Sequence, residues 1–200
     1  TAALAEGGQD PAAGQEGTNL VPEGPNTADP QLSEDENTGG TGSGVTEAAN
    51  EEGLKAAVLQ DGTIRLTENI DLTETLVIPS GRVITLDLNG KAITANFDGT
   101  AAIDIQSGQY VNNQVTRTTV DLIDSKGGGI ITHGTHEDDD GKTVKYYGRG
   151  LSLGSYNTLS MYGGSICGNE FDPDDGVYSH RGAGISVSSS AEFNMNGGSI

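Results

Sequence analysis

The feature that most constrains this chain is a repeat. Four segments align without gaps: residues 86–93 (LDLNGKAI), 123–130 (IDSKGGGI), 159–166 (LSMYGGSI) and 193–200 (FNMNGGSI). They end at 93, 130, 166 and 200, so the period runs from 34 to 37 residues. Each begins on a large apolar residue, carries Gly in fifth place (Gly90, Gly127, Gly163, Gly197) and ends on Ile. A constant glycine demands positive φ or a close backbone approach. Asn89-Gly90 and Asn196-Gly197 are strong turn pairs. A second column precedes these turns. Residues 148–155 (GRGLSLGS) match 182–189 (GAGISVSS), which sets Leu151 and Ile185 each twelve before its glycine. Ile103 and Ile105 belong to the same strand one copy earlier, with residues 107–118 inserted as a loop.

Short strands recurring at this period read as a solenoid, in which each unit buries its apolar side only against its neighbours. The strands are too short and too irregularly spaced for a sandwich. Stacking predicts one buried row of Leu86, Ile123, Leu159 and Phe193 and another of Ile93, Ile130, Ile166 and Ile200. A thin core of this kind explains how 33% hydrophobic residues suffice. A parallel β-helix is expected, advancing ~4.8 Å per turn.

The rest of the chain reads differently. Residues 1–44 hold nine Gly, four Pro, no aromatic and no Lys or Arg, and cannot bury enough apolar surface to offset their ordering entropy. They read as a disordered acidic linker. Residues 45–60 read as a helix: Thr46 caps it, Glu51 and Glu52 lie near its positive end, and Leu54, Ala57 and Val58 share a face. The alanine-rich start, Ala3-Leu4-Ala5, fits the end of a signal peptide, and the stop at Ile200 inside a repeat predicts a fragment of a longer protein. A net charge of -19 disfavours nucleic acid and anionic membrane surfaces as partners. No apolar run is long enough for a membrane span. The single cysteine, Cys167, permits no internal disulfide. A monomer is expected.

From Glu47 to Ile200 the chain resembles the right-handed β-helix domains of bacterial surface proteins, in the pectate-lyase-like superfamily. Three stretches carry the likeness: the helix leading into residues 61–72 (DGTIRLTENIDL), residues 76–90 (LVIPSGRVITLDLNG), and the two Met-x-Gly-Gly-Ser-Ile repeats. The resemblance implies an all-β fold, a right-handed single-stranded parallel β-helix over residues 61–200. It also implies a capping α-helix over the first turn and a place outside the bacterial cell or on its wall. Its functions would be adhesin or scaffold, structural stalk, or carbohydrate-active enzyme.

Candidate sites lie on the loops. Asp138, Asp139 and Asp140 precede Gly141; Asp174 and Asp175 precede Gly176. Asp138 and Asp174 each stand eight residues after an isoleucine of the expected row. Stacking would bring these carboxylates together as a calcium site, since Ca²⁺ takes six to eight oxygens. Lys145, Arg149, His180 and Arg181 follow the two loops. Polysaccharide lyases of the resembled fold set a basic residue beside acidic calcium ligands. Against this, Asp, Gly and Pro are ordinary loop residues, and the EF-hand pattern is absent. His133 and His136 offer two nitrogens with no third firm metal ligand. Tyr146, Tyr147, Tyr156, Tyr162 and Tyr178 suit stacking on sugar rings. No residues form a catalytic set, so the first reading is a non-catalytic exported surface protein contacting polysaccharide or host-surface glycan. A polysaccharide lyase or glycoside hydrolase of the same fold is the alternative, and a stalk the third.

Overall fold

The computed structural model describes residues 44–171 and 183–200. The acidic segment expected over residues 1–44 falls, but for Gly44, outside the described residues. A strand, β1 (Val45–Ala48), leads into one short helix, α1 (Glu51–Ala57), and then the strands recur in threes. First come β2 (Gly62–Leu66), β3 (Ile70–Leu72) and β4 (Leu76–Ile78), then β5 (Val83–Asp87), β6 (Ala92–Ala95) and β7 (Ala101–Ile105). A hairpin of β8 (Gln109–Val111) and β9 (Gln114–Thr116) intervenes before β10 (Thr119–Ile123) and β11 (Ile130–His133). A second hairpin, β12 (Thr135–Glu137) and β13 (Thr143–Lys145), precedes β14 (Arg149–Leu153). Then follow β15 (Thr158–Met161), β16 (Ser165–Ile166), β17 (Ile185–Val187) and β18 (Glu192–Met195).

Three parallel sheets are visited in rotation. Sheet A runs β1-β2-β5-β10-β15-β18, sheet B runs β3-β6-β11-β16, and sheet C runs β4-β7-β14-β17. Among the described residues the fold is therefore all-β, with parallel sheets and one helix. Each pass takes one strand from each sheet, and each strand pairs with its counterparts one pass away. Inward residues form columns: Ile84, Val120, Leu159 and Phe193, or Leu86, Leu122, Met161 and Met195, in sheet A. Ile70, Ile93, Ile131 and Ile166 form the column in sheet B. Leu76, Ile103, Leu151 and Ile185 do so in sheet C. Alternate residues of each strand face out, and the inward set, except for exposed Met195, makes one continuous apolar core.

The registers correct the expected rows. Leu159 and Phe193 are partners, but Leu86 lies opposite Leu122, and Ile123 lies opposite Asp87. In sheet B the partner of Ile93 and Ile166 is Ile131, fully buried, whereas half-buried Ile130 lies beside Ala92 and Ser165. A gapless alignment fails because the A-to-B connection changes length. From the column of Leu86, Leu122 and Met161 to that of Ile93, Ile131 and Ile166 the interval is seven, nine and then five residues. Strand register holds, and the turns absorb the difference. The constant glycines accordingly serve two needs. Gly90 and Gly127 have φ of 73° and 77°, but the positive φ in the later turns falls on Gly164 and Gly198, at 80° and 82°. Gly163 and Gly197 are kept bare by proximity: a Cβ on Gly163 would lie 3.1 Å from the Asp124 nitrogen, and one on Gly197 2.5 Å from the Tyr162 carbonyl oxygen.

The helix is shorter than expected. Val45–Ala48 extends sheet A in register with Thr63–Leu66, because a β-branched pair beside a free strand edge gains a ladder of hydrogen bonds. The N-cap is Asn50, not Thr46: its side chain accepts the Gly53 N–H at 2.9 Å. Leu54 and Ala57 are the buried residues of the helix. Residues 107–118 form not a plain loop but the β8–β9 hairpin. Asn112 and Asn113, both at positive φ (51° and 62°), make its two-residue tip, as a tight hairpin turn requires. Among the described residues no helix is long and apolar enough to cross a membrane.

The corrected register predicts unequal costs for neighbouring isoleucines. Ile131→Ala should lower unfolding free energy by about 2–5 kcal/mol in denaturant titration. Ile130→Ala should cost less than about 1 kcal/mol. The reverse order would restore the gapless rows.

Candidate functional site

The acidic loop is the turn of the β12–β13 hairpin, which leaves the sheets between β11 and β14. Asp138 closes it locally. Its Oδ1 accepts the backbone N–H groups of Asp140 at 3.0 Å and Lys142 at 2.8 Å, and the Gly141 N–H donates to its carbonyl. Gly141 takes positive φ (73°) to complete the turn. Asp139 and Asp140 are exposed. Asp174, Asp175, Tyr178, His180 and Arg181 lie outside the described residues. Among the described residues no three His, Cys, Asp or Glu side chains gather to hold a metal ion. The structure thus brings Asp138, Asp139 and Asp140 together as a hydrogen-bonded turn.

The bases beside the hairpin are occupied. Lys145 Nζ lies 2.8 Å from Glu170 Oε1 and also donates to the Gly168 carbonyl. Buried Arg149 sits over the Phe171 ring, 5.0 Å from its centroid. Tyr146 stacks on His136 with centroids 4.3 Å apart, so one ring face is covered. The Tyr147 N–H donates to Asp98 Oδ1 at 2.7 Å. Tyr156 holds φ of 67° before β15. Tyr162 is 54% exposed, on the A-to-B connection rather than at this hairpin. Cys167 is exposed.

His133 is not placed as a surface ligand. Its inward column is that of Leu72 and Ala95, and it is only 4% exposed. Nδ1 is 2.7 Å from Asn169 Oδ1. Burial pushes its pKa below the ordinary histidine value; the Asn169 hydrogen bond and the Asp98 charge pull the other way, and Lys145 adds to the depression.

A second site escaped the sequence. The A-to-B connections form a furrow beside a fully buried carboxylate, Asp87. Asp87 Oδ1 accepts the Ser125 and Asn89 N–H groups, both at 2.9 Å. Oδ2 accepts the Ser125 hydroxyl at 2.8 Å and Arg65 Nε at 3.0 Å. Burial raises the pKa of this carboxyl, but the Ser125, Arg65 and Asn89 donors outweigh it, and the group stays below the usual carboxylate range. A carboxylate held by four donors anchors turns; it does not take up protons as a general base. Above it lies an open groove of about 530 Å³ lined by Glu47, Arg65, Thr67, Asn89, Ser125 and Lys126. A neighbouring groove of about 380 Å³ is walled largely by Gly127, Gly128, Gly163 and Gly164. Tyr162 directly precedes that glycine pair. The turn signals Asn89-Gly90 and residues 125–129 (SKGGG) were visible in the sequence; that they line up beside one carboxylate was not.

Comparison with family models, with characterised proteins and with solved structures returns no match.

Asp87 gives a pH prediction. Its folded-state pKa is depressed, so its contribution is complete above the unfolded carboxyl value near 3.8 and is lost as pH falls through the folded value. Asp87→Ala should cost at least about 2 kcal/mol near neutral pH, because buried donors lose their acceptor. Asp87→Asn should flatten the acid limb of a stability–pH curve below pH 3.8; an unchanged limb would assign that limb to other carboxylates.

Proposed function

We propose that the three sheets visited in rotation wind as a right-handed parallel β-helix, one coil per pass. We further propose that this rod is a non-catalytic scaffold displaying loops for glycan contact on an exported bacterial surface protein. The handedness follows from the strong preference for right-handed crossovers between parallel strands of one sheet. One observation carries the display role. Two antiparallel hairpins are inserted at different joints, β8–β9 and β12–β13, yet the ladders β5–β10 and β7–β14 keep their register. A frame that tolerates insertions without losing pairing is suited to carrying recognition loops, which is where function resides on such scaffolds.

The furrow over Asp87 supports a saccharide as the ligand class. Lys126 offers a cationic donor, and the side-chain oxygens of Thr67, Asn89 and Ser125, whose own donors are directed to Ala48, Leu66 and Asp87, offer acceptors along an open groove. Tyr162, 54% exposed, directly precedes Gly163 and Gly164 of the glycine-walled groove and supplies an exposed aromatic ring. Sugars bind through this combination of hydroxyl partners and an apolar ring face. The acidic, Gly/Pro-rich residues 1–44 suit a spacer, and export to the cell surface or wall rests on that composition together with the resemblance. Calcium at Asp138, Asp139, Asp140, Asp174 and Asp175 would be a structural cation of the display loops, and the lyase alternative would also require it.

Two measurements on one panel of polysaccharides test the reading. Binding should be detected by glycan array, and Tyr162→Ala should weaken it about fivefold, equivalent to ~1 kcal/mol. Depolymerisation assays with millimolar Ca²⁺ and with EDTA should show no new chain ends. Calcium-dependent cleavage would replace this reading with the lyase.

A further inference from the structure

We propose that His133 is a pH-sensitive latch that holds the base of the acidic hairpin β12–β13 and the adjoining residues 167–171 in place at neutral pH and releases them when its ring takes up a proton. The argument begins with position. Leu72 and Ala95 occupy the same inward column in earlier passes, so the histidine stands where the core expects an apolar side chain. The ring packs against Phe97, with centroids 6.2 Å apart and planes at 59°.

The hydrogen bonds fix which nitrogen carries the proton. Asn169 Nδ2 donates to the Cys167 carbonyl at 3.1 Å and to the Ile131 carbonyl at 3.4 Å. This turns the amide oxygen of Asn169 toward His133, 2.7 Å from Nδ1. Nδ1 is therefore the N–H of a neutral ring, and Nε2 is the bare lone pair. Nε2 is buried with no hydrogen-bond partner among the described residues, and it abuts Gly148 so closely that a Cβ there would stand 2.5 Å away. A proton arriving at Nε2 would place a cation in a buried site where no hydrogen-bond acceptor is aligned to it among the described residues, which is strongly unfavourable.

The charges facing the ring do not rescue it. Asp98, from the connection between β6 and β7, attracts the cation, but its Oδ1 already accepts the Tyr147 N–H. Lys145 of β13 repels it. Glu170 is already paired with Lys145, and Arg149 of β14 is engaged over the Phe171 ring and by further contacts of its own. The neutral ring therefore contributes stability in full above the unfolded histidine pKa of 6.5, and this is lost as pH falls from there through the folded value.

The contacts around the ring are also the hairpin's attachments. His133 ends β11, and the next residue, Gly134, accepts the Tyr146 N–H across the hairpin base at 3.0 Å. The Gly148 N–H donates to the Glu170 carbonyl at 2.7 Å. Displacing the ring would loosen both, together with the Asn169 anchor of residues 167–171. One proton per opening makes the opening constant rise by at most tenfold per pH unit within the window.

Hydrogen exchange by mass spectrometry on the full chain at pH 7.5, 6.0 and 5.0, corrected for intrinsic rates, tests this. Residues 134–148 should lose protection as pH falls, up to tenfold per unit, while β4 stays unchanged. His133→Phe should abolish the slope, and His136→Gln should leave it in place. Should His133→Phe fail to fold, imidazole nitrogen NMR of the wild-type chain decides. It should show His133 as the Nδ1–H tautomer, titrating below pH 6.5 with a midpoint matching the loss of protection. Protection that is independent of pH, a slope that survives in His133→Phe, or titration of His133 at or above 6.5 would each overturn the latch.

Discussion

A backbone amide in the sheets of this protein finds its carbonyl one pass away. That single constraint organises the rest. Because parallel strands pair in register, a residue stacks on the residue at the same place in the next pass, and the inward or outward sense of every side chain is inherited along the column. Ile70, Ile93, Ile131 and Ile166 are one consequence. The variable A-to-B turns are another, since a change of length is tolerable only where no ladder runs. Both hairpins obey the same rule, leaving at joints between strands and returning before the next pairing begins.

The polar interior follows the same geometry. At the joints the chain must turn, and backbone groups leave the ladder and need other partners. Those partners come from one pass away. Ser125 reaches Asp87 across 38 residues, Thr118 reaches Asn157 across 39, and His133 meets Asn169 across 36. Buried Asp87, Asn157 and Asn169 bind successive turns to one another. His133 uses the same kind of link in a column that elsewhere holds Leu72 and Ala95.

This explains what could be seen beforehand in the residues alone. The columns of Ile103, Leu151 and Ile185 were legible, because strand alternation is local and the interval to the following turn is constant in two copies. Ile131 was not, because the glycine run 127–129 lengthens one turn and a gapless alignment selects its neighbour Ile130. The strand at Val45–Ala48 was hidden by helix-forming residues that follow it; its partner, β2, lies beyond the helix. Asp138 was legible as a loop carboxylate, but its role in closing the turn depends on backbone geometry. Asp87 was the least visible. In sequence it is one acid in a strand-like stretch, and its importance arises from donors supplied by two other passes.

Methyl NOE spectroscopy on a chain labelled only at isoleucine δ1 positions tests the register most directly. The account predicts cross-peaks from Ile131 to both Ile93 and Ile166, and from Ile93 to Ile70, tracing one column through four strands of sheet B. Cross-peaks that instead join Ile130 to Ile93 and Ile166, with Ile131 silent toward both, would contradict the pairing on which the core, the turns and the buried polar links all depend.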